Sequence, residues 1–493
     1  MQRQIVRVGI ALMVAFIAVF VQLNYVQIFA AEDIASNNAN IRGLLREYSI
    51  ERGDILTNDG VRIATSRRTG GRFKYRRTYP EGDLYGHITG FYSILYGKTA
   101  IEARYDDQLL GDSGVLSMQD IEDRLFDSGE QGDDVRLTIE SELQETARAA
   151  IGDERGAAVA LDPTTGQVKA MWGNPSYDPT PLAAHESATQ REYWNSLDPK
   201  NTLETPLLNI ATSRGYPPGS TFKVVTATAA LESGEYDLRS PAFPDPAALD
   251  LPQTDDTLTN FTNTACQGGQ QIDLFTALTI SCDTTFAILG LEIFPEIFEL
   301  AEKLGFNDPI PFDIGTVASQ FPDIGDDNLP SRAKAAIGQQ DVVATPLQMA
   351  LVAATIANSG EVPLPRLVEE IIDPSGGIVR SYGPETIGRA MSTQTAADVT
   401  AMMVSAVQSP SGTGGAARMP GVEVAGKTGT AQTVEGANPH TWFIAFAPAD
   451  APQIAVAVIV EHGGAFGSEA TGGAVAAPIA RQIMEKAREI DGW

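Results

Sequence analysis

The sequence is poor in the residues that build metal and redox sites. Its 493 residues include two cysteines and four histidines. The histidines fall singly, without the spacing that places two ligands together: His87, His185, His440 and His462. We therefore expect no metal site, and no cofactor is indicated.

Positive charge is also in the minority. The chain has 35 Lys and Arg against 63 Asp and Glu, which gives a net charge of -28. A polyanion would be repelled by such a surface, so nucleic acid is not an expected partner.

Long hydrophobic runs are scarce, and one stands out at residues 5–29. Its length is close to the roughly 20 residues that cross a bilayer. Arg3 and Arg7 precede the apolar core and Glu32 and Asp33 follow it, so the positive-inside rule places the N-terminus in the cytoplasm. We expect a cytoplasmic tail at residues 1–4, a single-pass membrane anchor at 5–29, and an extracytoplasmic remainder. The alternative is a cleaved signal peptide, because the sequences AFIA and IFAA offer small residues to a peptidase.

No G-x-S-x-G elbow precedes a plausible Ser-His-Asp triad. The stretch RGYPPGSTFK at residues 214–223 offers another nucleophile. Pro217, Pro218 and Gly219 disfavour helix and the following VVTATAALE favours it, so Ser220 is predicted at a helix N-terminus. Residues three apart share a helix face, so the Ser220 hydroxyl and the Lys223 amine are expected to meet.

A lone S-x-x-K is weak evidence, because Ser331 and Lys334 form a second copy. The first copy is followed by Ser281-Cys282-Asp283 and then by Lys427-Thr428-Gly429-Thr430. This is the chain order S-x-x-K, S-x-N/D, K-T-G of penicillin-binding proteins and serine β-lactamases. We interpret the Ser331 copy as structural.

With these motifs the chain resembles a class B penicillin-binding protein, a monofunctional peptidoglycan D,D-transpeptidase, and is most similar to the A-type class B proteins of actinobacteria. Further stretches carry the resemblance: Arg52 to Ile55, RRTYP ending at Pro80, TGFYS ending at Ser93, the pair Ile101 and Glu102, HTWFIAFAP ending at Pro448, and TGGAVAAPIAR ending at Arg481. One departure stands out: most of the family has Asn where this chain has Asp283.

The chain divides into two folded parts. Residues 30–136 contain short β-rich runs such as VRIATS and GRFKYRRTY and no catalytic constellation; the resemblance implies a non-catalytic pedestal domain. Arg52 and Glu102 are expected there either as a structural ion pair or as surface charges. About a hundred residues are too few for the glycosyltransferase domain of a class A protein.

Residues 137–493 are expected to form the transpeptidase domain. Apolar strands are predicted around the turn at 162–166, on the approach to Lys427, and at 440–448 and 454–461, with a helical middle and a closing helix at 476–490. This pattern indicates an α+β fold in which an antiparallel sheet is flanked by helices, and the resemblance implies the penicillin-recognising fold. Loops at 174–206, 241–265 and 409–420 are expected to border the cleft.

The resemblance implies a role for each motif residue. Ser220 is expected to attack the carbonyl between two D-alanines, Lys223 to act as base, and Ser281 to pass the proton to the leaving amine. Lys427, Thr428 and Thr430 are expected to hold the terminal carboxylate, and Gly429 to let the strand lie close to the substrate. The backbone N–H groups of Ser220 and Thr430 are expected to form the oxyanion hole.

Asp283 leaves three alternatives open. An ionised carboxylate beside Lys223 favours the charged amine and opposes its role as base. Asp283 is therefore protonated, or shares a proton with Lys223, or Ser281 takes a larger part in activation.

Cys266 and Cys282 are either a disulfide or two free thiols. An even pair in an exported protein is more often a disulfide, and A-type relatives carry a comparable pair. The alternative is a buried, free Cys282.

The expected function is cross-linking of peptidoglycan stem peptides, with β-lactams as inhibitors. Family analogy adds a SEDS-class glycosyltransferase as partner. Three alternatives remain: a β-lactamase, a membrane-tethered β-lactam sensor, and a non-catalytic scaffold of the cell-wall machinery.

Overall fold

The computed structural model describes residues 2–25, 42–111, 131–240, 242–432 and 436–493. The end of the predicted membrane span, 26–29, lies outside the described residues. So does most of the acidic, Gly-containing stretch at 112–134, which the sequence predicts to be a loop or linker.

The strands are β1 Ile55–Leu56, β2 Arg62–Arg68, β3 Tyr75–Thr78, β4 Tyr92–Ser93, β5 Gly97–Lys98, β6 Asp134–Leu137, β7 Gly156–Leu161, β8 Val168–Asn174, β9 Phe243–Pro244, β10 Ala248–Asp250, β11 Thr257–Thr259, β12 Gln271–Ile272, β13 Glu361–Pro363, β14 Val368–Ile372, β15 Ile378–Ser381, β16 Thr386–Arg389, β17 Ala425–Ala431, β18 His440–Ala447 and β19 Ile454–Val460. The helices are α1 Gln2–Asn24, α2 Arg42–Glu47, α3 Gly86–Thr89, α4 Ala100–Arg104, α5 Asp106–Leu109, α6 Ser141–Ile151, α7 Ser187–Ser196, α8 Ile210–Ser213, α9 Lys223–Ser233, α10 Leu274–Ile280, α11 Asp283–Glu292, α12 Phe294–Lys303, α13 Leu329–Ala335, α14 Pro346–Ala357, α15 Thr393–Gln408 and α16 Ala476–Asp491.

The N-terminal helix α1 is apolar along its length. The segment Arg3–Asn24 has a mean hydropathy of 2.4 and none of it is buried. Helix α1 has 23 residues and is about 34 Å long, enough to cross the roughly 30 Å hydrocarbon core of a bilayer. By length and composition, α1 fits a single-pass membrane anchor.

A five-stranded antiparallel sheet forms the centre of the larger part, in the order β17-β18-β19-β7-β8. Every residue of β18 and β19 is buried, because α14 packs against the sheet and α16, with α6, covers it as well. The prediction of an α+β fold with helices flanking an antiparallel sheet is confirmed. β17, which carries Lys427, is an edge strand.

A second sheet has six strands in the order β15-β14-β6-β1-β2-β3. β1 and β6 pair in parallel, whereas β14 pairs antiparallel with β6. Its strands therefore come from two distant parts of the chain. The sheet joins residues before the predicted boundary at 136 to residues 368–381, which follow Ser220 and Ser281 in the chain.

A buried ion cluster fastens this sheet to α4. Glu102 is fully buried and accepts hydrogen bonds from Arg52 Nε and Arg77 Nε, each at 2.6 Å. Tyr79 donates a further hydrogen bond to Glu102, and Arg52 also pairs with Asp106. Burial alone would raise the pKa of Glu102, but Arg77 and Arg52 hold it below its usual value. Of the two alternatives for Arg52 and Glu102, the structure has the ion pair.

Candidate active site

Ser220 lies in a tight turn at the start of α9. Gly219–Thr221 form a single 3-10 turn, and α9 begins at Lys223. Gly219 adopts a φ of +54°, and a Cβ atom there would stand 2.8 Å from the carbonyl oxygen of Thr430. Glycine therefore allows the turn to approach β17 closely, which leaves Ser220 half-buried beside the K-T-G strand.

Two hydrogen bonds fix this turn. The Trp442 indole N–H donates to the carbonyl of Pro217 at 3.0 Å. The backbone N–H of Gly219 donates to the carbonyl of Gly338 at 2.9 Å. The turn that carries Ser220 is thus held by the central sheet on one side and by the segment after α13 on the other.

Lys223 is fully buried, and its amine faces the S-x-D motif. Nζ donates to Asp283 Oδ1 at 2.7 Å, to the carbonyl of Ser281 at 2.9 Å and to Ser281 Oγ at 3.4 Å. Among the described residues, no hydrogen bond joins the Ser220 hydroxyl to this amine. The carboxylate and the carbonyl, which the i, i+3 argument did not consider, hold the amine instead.

Ser281 sits where two helices meet. It ends α10 in a left-handed conformation with a φ of 63°, and α11 begins at Asp283. Its hydroxyl accepts a hydrogen bond from Lys427 Nζ at 2.7 Å. A continuous chain of contacts therefore runs from Lys427 through Ser281 to Lys223 and Asp283.

The two lysines of this chain have lowered pKa values. Desolvation lowers the pKa of Lys223, and Asp283 opposes that effect without cancelling it. Desolvation and the charge of Lys223 hold the pKa of Lys427 well below its ordinary value. The Lys223 amine therefore loses its proton more readily than the amine of a surface lysine, and a general base must be unprotonated to act.

The K-T-G strand packs against the serine turn. A Cβ atom at Gly429 would meet the Pro218 carbonyl oxygen at 2.8 Å and Thr221 Cγ2 at 2.9 Å. The glycine therefore allows close packing of β17 on the turn. The Thr430 hydroxyl accepts a long hydrogen bond, 3.4 Å, from the backbone N–H of Gly472.

Sequence reasoning did not identify Thr413. Its hydroxyl lies 2.6 Å from that of Thr428, so the loop between α15 and β17 contacts the K-T-G motif directly. The available signal was the loop at 409–420, which was expected to border the cleft. Its contact with Thr428 supports that expectation.

The disulfide between Cys266 and Cys282 is present, with the Cα atoms 5.9 Å apart. Asp245, also unidentified in the sequence, fixes the loop that carries Cys266. Its carboxylate accepts hydrogen bonds from the backbone N–H groups of Cys266, Gln267 and Gly269. Asp245 and the two sulfur atoms lie close together, but bonded sulfurs are not thiolate ligands for a metal.

The second S-x-x-K copy has different surroundings. Ser331 lies in α13, where its backbone N–H is capped by Asn328. Lys334 is directed towards Asp256, with 3.5 Å between Nζ and Oδ2. These contacts are those of a helix cap and a solvated lysine.

Replacing Asp283 with asparagine will change how the rate of acylation by a β-lactam depends on pH. The rise of this rate on the acidic side will occur at lower pH than in the wild type. Loss of the carboxylate removes the interaction that raises the pKa of Lys223, so this pKa falls further and neutral amine persists to lower pH. An opposite charge at hydrogen-bond distance shifts a pKa by about 1–3 units, and we expect a displacement of about one unit or more. The measurement is the second-order rate of acylation by a fluorescent penicillin from about pH 5 to about pH 10.

Asp256→Asn is the matched control, because that carboxylate is exposed and pairs with Lys334, which is partly exposed and lies outside the three motifs. Its profile should follow the wild type. Superimposable profiles for Asp283→Asn and wild type would show that Asp283 does not tune the base.

Comparison with known proteins gives two family matches. Residues 156–485 match the model described as "Penicillin binding protein transpeptidase domain". Residues 52–135 match the model described as "Penicillin binding protein A dimerisation domain".

Whole-length relatives and solved structures agree with these matches. Peptidoglycan D,D-transpeptidase PbpA of Mycolicibacterium smegmatis is 40% identical over 98% of this chain and 98% of that protein. PbpA of Mycobacterium tuberculosis is 36% identical with the same coverage. The penicillin G acyl-enzyme complex of penicillin-binding protein A from M. tuberculosis superposes with a TM-score of 0.80 at 36% identity, covering 89% of this chain and all of that chain.

Proposed function

Because the chain belongs to the class B penicillin-binding proteins and is a peptidoglycan D,D-transpeptidase, we propose that Ser220 is the residue that forms its acyl-enzyme. The observation that carries the assignment is the contact chain from Lys427 through Ser281 to Lys223 and Asp283, beside the half-buried Ser220. The substrate is the D-Ala-D-Ala end of a stem peptide, and β-lactams acylate the same serine.

Lys223 serves as the general base for Ser220. The Ser220 oxygen bonds to the penultimate D-alanine carbonyl carbon as its proton passes to the neutral Lys223 amine. Collapse of the tetrahedral adduct breaks the amide bond, and the proton reaches the leaving nitrogen through Ser281, which contacts both lysines. Terminal D-alanine departs, and an ester on Ser220 remains.

Lys427, Thr428 and Thr430 hold the carboxylate of the terminal D-alanine. The Thr413 hydroxyl, 2.6 Å from that of Thr428, orients Thr428 for this contact. β17 is an edge strand, so an extended peptide can lie alongside it. The backbone N–H groups of Ser220 and Thr430 stabilise the oxyanion, an effect typically worth about 10² to 10³ in rate.

The second half-reaction transfers the acyl group to an amine of a neighbouring stem peptide. The amine nitrogen bonds to the ester carbon and gives up a proton to the neutral Lys223 amine. Lys223 passes a proton to the Ser220 oxygen as the ester C–O bond breaks, and an amide cross-link forms.

The chain organisation is proposed as a cytoplasmic tail at 1–4, an anchor at 5–29, a pedestal at 30–136 and a transpeptidase domain at 137–493. The matched models at 52–135 and 156–485 support this division. Arg3 and Arg7 before the apolar core support a cytoplasmic N-terminus, which places the transpeptidase domain outside the membrane. A SEDS-family glycosyltransferase in the same membrane is the proposed partner, because family analogy assigns glycan polymerisation to such a protein.

The test is turnover by the full-length protein in detergent. A stem-peptide thioester and an amine acceptor should yield the amide product and the leaving group in equal amounts, detected by mass spectrometry. Preincubation with penicillin G should abolish both. Rapid release of penicilloate would indicate a β-lactamase, a stable adduct without turnover of the thioester a sensor, and neither adduct nor turnover a scaffold.

A further inference from the structure

The β2–β3 hairpin concentrates positive charge in an otherwise acidic chain. Residues 61–80 contain seven of the 35 Lys and Arg residues and no Asp or Glu, although the chain carries a net charge of -28. None of these seven residues takes part in the catalytic steps proposed above. It makes the hairpin a separate candidate for binding.

Six of the seven cations fall into two groups, and the seventh, Arg76, is partly buried on β3. At the base of the hairpin, Arg77 pairs with the buried Glu102 and Arg62 pairs with Asp54. The second group, here called the basic tip, is exposed: Arg67, Arg68, Arg72 and Lys74. Within the parts of the chain that the structure describes, no salt bridge engages the basic tip.

Protection of a sheet edge does not account for this composition. β3 is the edge strand of the six-stranded sheet, and charged side chains on an edge do prevent pairing with other chains. None of the four tip cations lies on β3, however: Arg67 and Arg68 are on β2, and Arg72 and Lys74 precede β3. The rest of the chain has more acidic than basic residues. A cluster of positive charge in a chain that is mostly acidic therefore points to an anionic ligand.

The hairpin is attached to the part of the chain that follows the anchor. The backbone N–H of Tyr75 donates to the carbonyl of Tyr48 at 3.1 Å, and the rings of Phe73 and Tyr48 stand 5.1 Å apart. Tyr48 directly follows α2, the first described helix after α1. Because α1 and α2 belong to one chain, insertion of α1 keeps the basic tip near the bilayer surface. Weak contacts then suffice for docking.

We propose that the basic tip binds anionic phospholipid headgroups of the bilayer in which α1 is inserted. The proposal rests on α1 acting as the membrane anchor. Membrane-proximal cations each strengthen binding to an anionic surface by about fivefold. Docking of the tip holds the six-stranded sheet at the membrane while the acidic remainder is repelled from it.

The experiment places a fluorophore on the hairpin of the full-length protein in vesicles. Gly71→Cys provides the site, since the hairpin turn is exposed there and a Cβ atom meets nothing within 4 Å. Both native cysteines are in the disulfide and do not react. Energy transfer to a headgroup-labelled lipid is compared between phosphatidylcholine vesicles and vesicles with about one third phosphatidylglycerol. Gly383→Cys, after β15 at the opposite edge of the sheet, is the reference position.

Transfer from residue 71 should rise with anionic lipid, and transfer from residue 383 should not. Raising NaCl from about 0.1 M to about 1 M, which shortens the screening length from about 10 Å to about 3 Å, should abolish the rise. Changing the four tip cations to glutamine should weaken docking at least about tenfold. The matched variant changes four exposed cations of the transpeptidase part to glutamine and should dock normally: Arg239, Lys303, Arg380 and Arg389.

Equal transfer from residue 71 in neutral and anionic vesicles would overturn the proposal, as would equal weakening by the matched variant. Displacement by soluble polyglutamate at an equal concentration of negative charge would also overturn it, in favour of an acidic polymer or protein as ligand. Flotation with neutral vesicles reports the anchor, and labelling by fluorescent penicillin reports the folded catalytic domain. The three readouts therefore distinguish a hairpin that does not bind lipid, a helix α1 that does not anchor the protein, and a Ser220 that does not form an acyl-enzyme.

Discussion

Ser220→Ala will abolish covalent labelling of the full-length protein by a fluorescent penicillin, whereas Ser331→Ala will leave it unchanged. Alanine offers no oxygen to form the ester, and removal of a catalytic serine commonly costs about 10³-fold or more. Ser331 shares the sequence pattern but lacks the surroundings, since Lys334 faces Asp256 rather than a second lysine or a K-T-G strand. The measurement is the fluorescent adduct after denaturing electrophoresis, followed with time.

The pair of variants is a matched control, because each removes one hydroxyl from an S-x-x-K sequence. Thermal unfolding of both should resemble the wild type, which excludes loss of fold as the cause. An adduct that persists in Ser220→Ala, or disappears in Ser331→Ala, would show that the nucleophile has been misassigned.

Glu102→Gln will lower the free energy of unfolding of the six-stranded sheet by about 3–5 kcal/mol, the usual cost of removing one partner from a buried ion pair. Two arginines that are 3% and 1% exposed, Arg52 and Arg77, share this one carboxylate. Arg52 retains Asp106 in the variant. Arg77 retains backbone carbonyl partners, but among the described residues its one salt bridge is the one to Glu102.

Hydrogen exchange of the β1, β2 and β6 amides measures this effect locally, which suits a chain with more than one folded part. Arg62→Gln is the control: this arginine is 70% exposed and pairs with Asp54, so its loss should cost less than about 1 kcal/mol. Equal costs for the two variants would contradict the structural role of the cluster.

The same cluster predicts a direction with pH. The pKa of Glu102 is lowered in the fold, so its contribution is complete above the unfolded value of about 4.3. The contribution is lost as pH falls through the lower, folded value. The difference between wild type and Glu102→Gln should therefore shrink on acidification.

Local sequence features predicted local structure well. The prolines and glycine before Ser220 and the apolar segment after it place the serine turn and α9 where they are found. The alternating and apolar runs that become β7, β8, β18 and β19, and the helix α16, are likewise strong local signals. The pairing of Cys266 with Cys282 spans 16 residues and was one of two alternatives.

Contacts between distant residues were less accessible. Lys223 and Lys427 reach Ser281 across 58 and 146 residues, and only the family resemblance brought them together in advance. The competition of Asp283 for the Lys223 amine and the contact of Thr413 with Thr428 depend on side-chain placement that periodicity does not encode. The net charge did not reveal the basic tip either, because a total over 493 residues does not show where the charges lie.

The shared six-stranded sheet also sets an order of folding during synthesis. β6 pairs with β14, and Arg136 forms an ion pair with Glu370, 234 residues later in the chain. At a synthesis rate of about 5–20 residues per second, roughly 10–50 seconds separate the two strands. Until β14 is made, β6 is an open edge that another chain can join. The six-stranded sheet is therefore complete only after β14 has been made. A protein truncated between β6 and β14 carries an aggregation-prone edge.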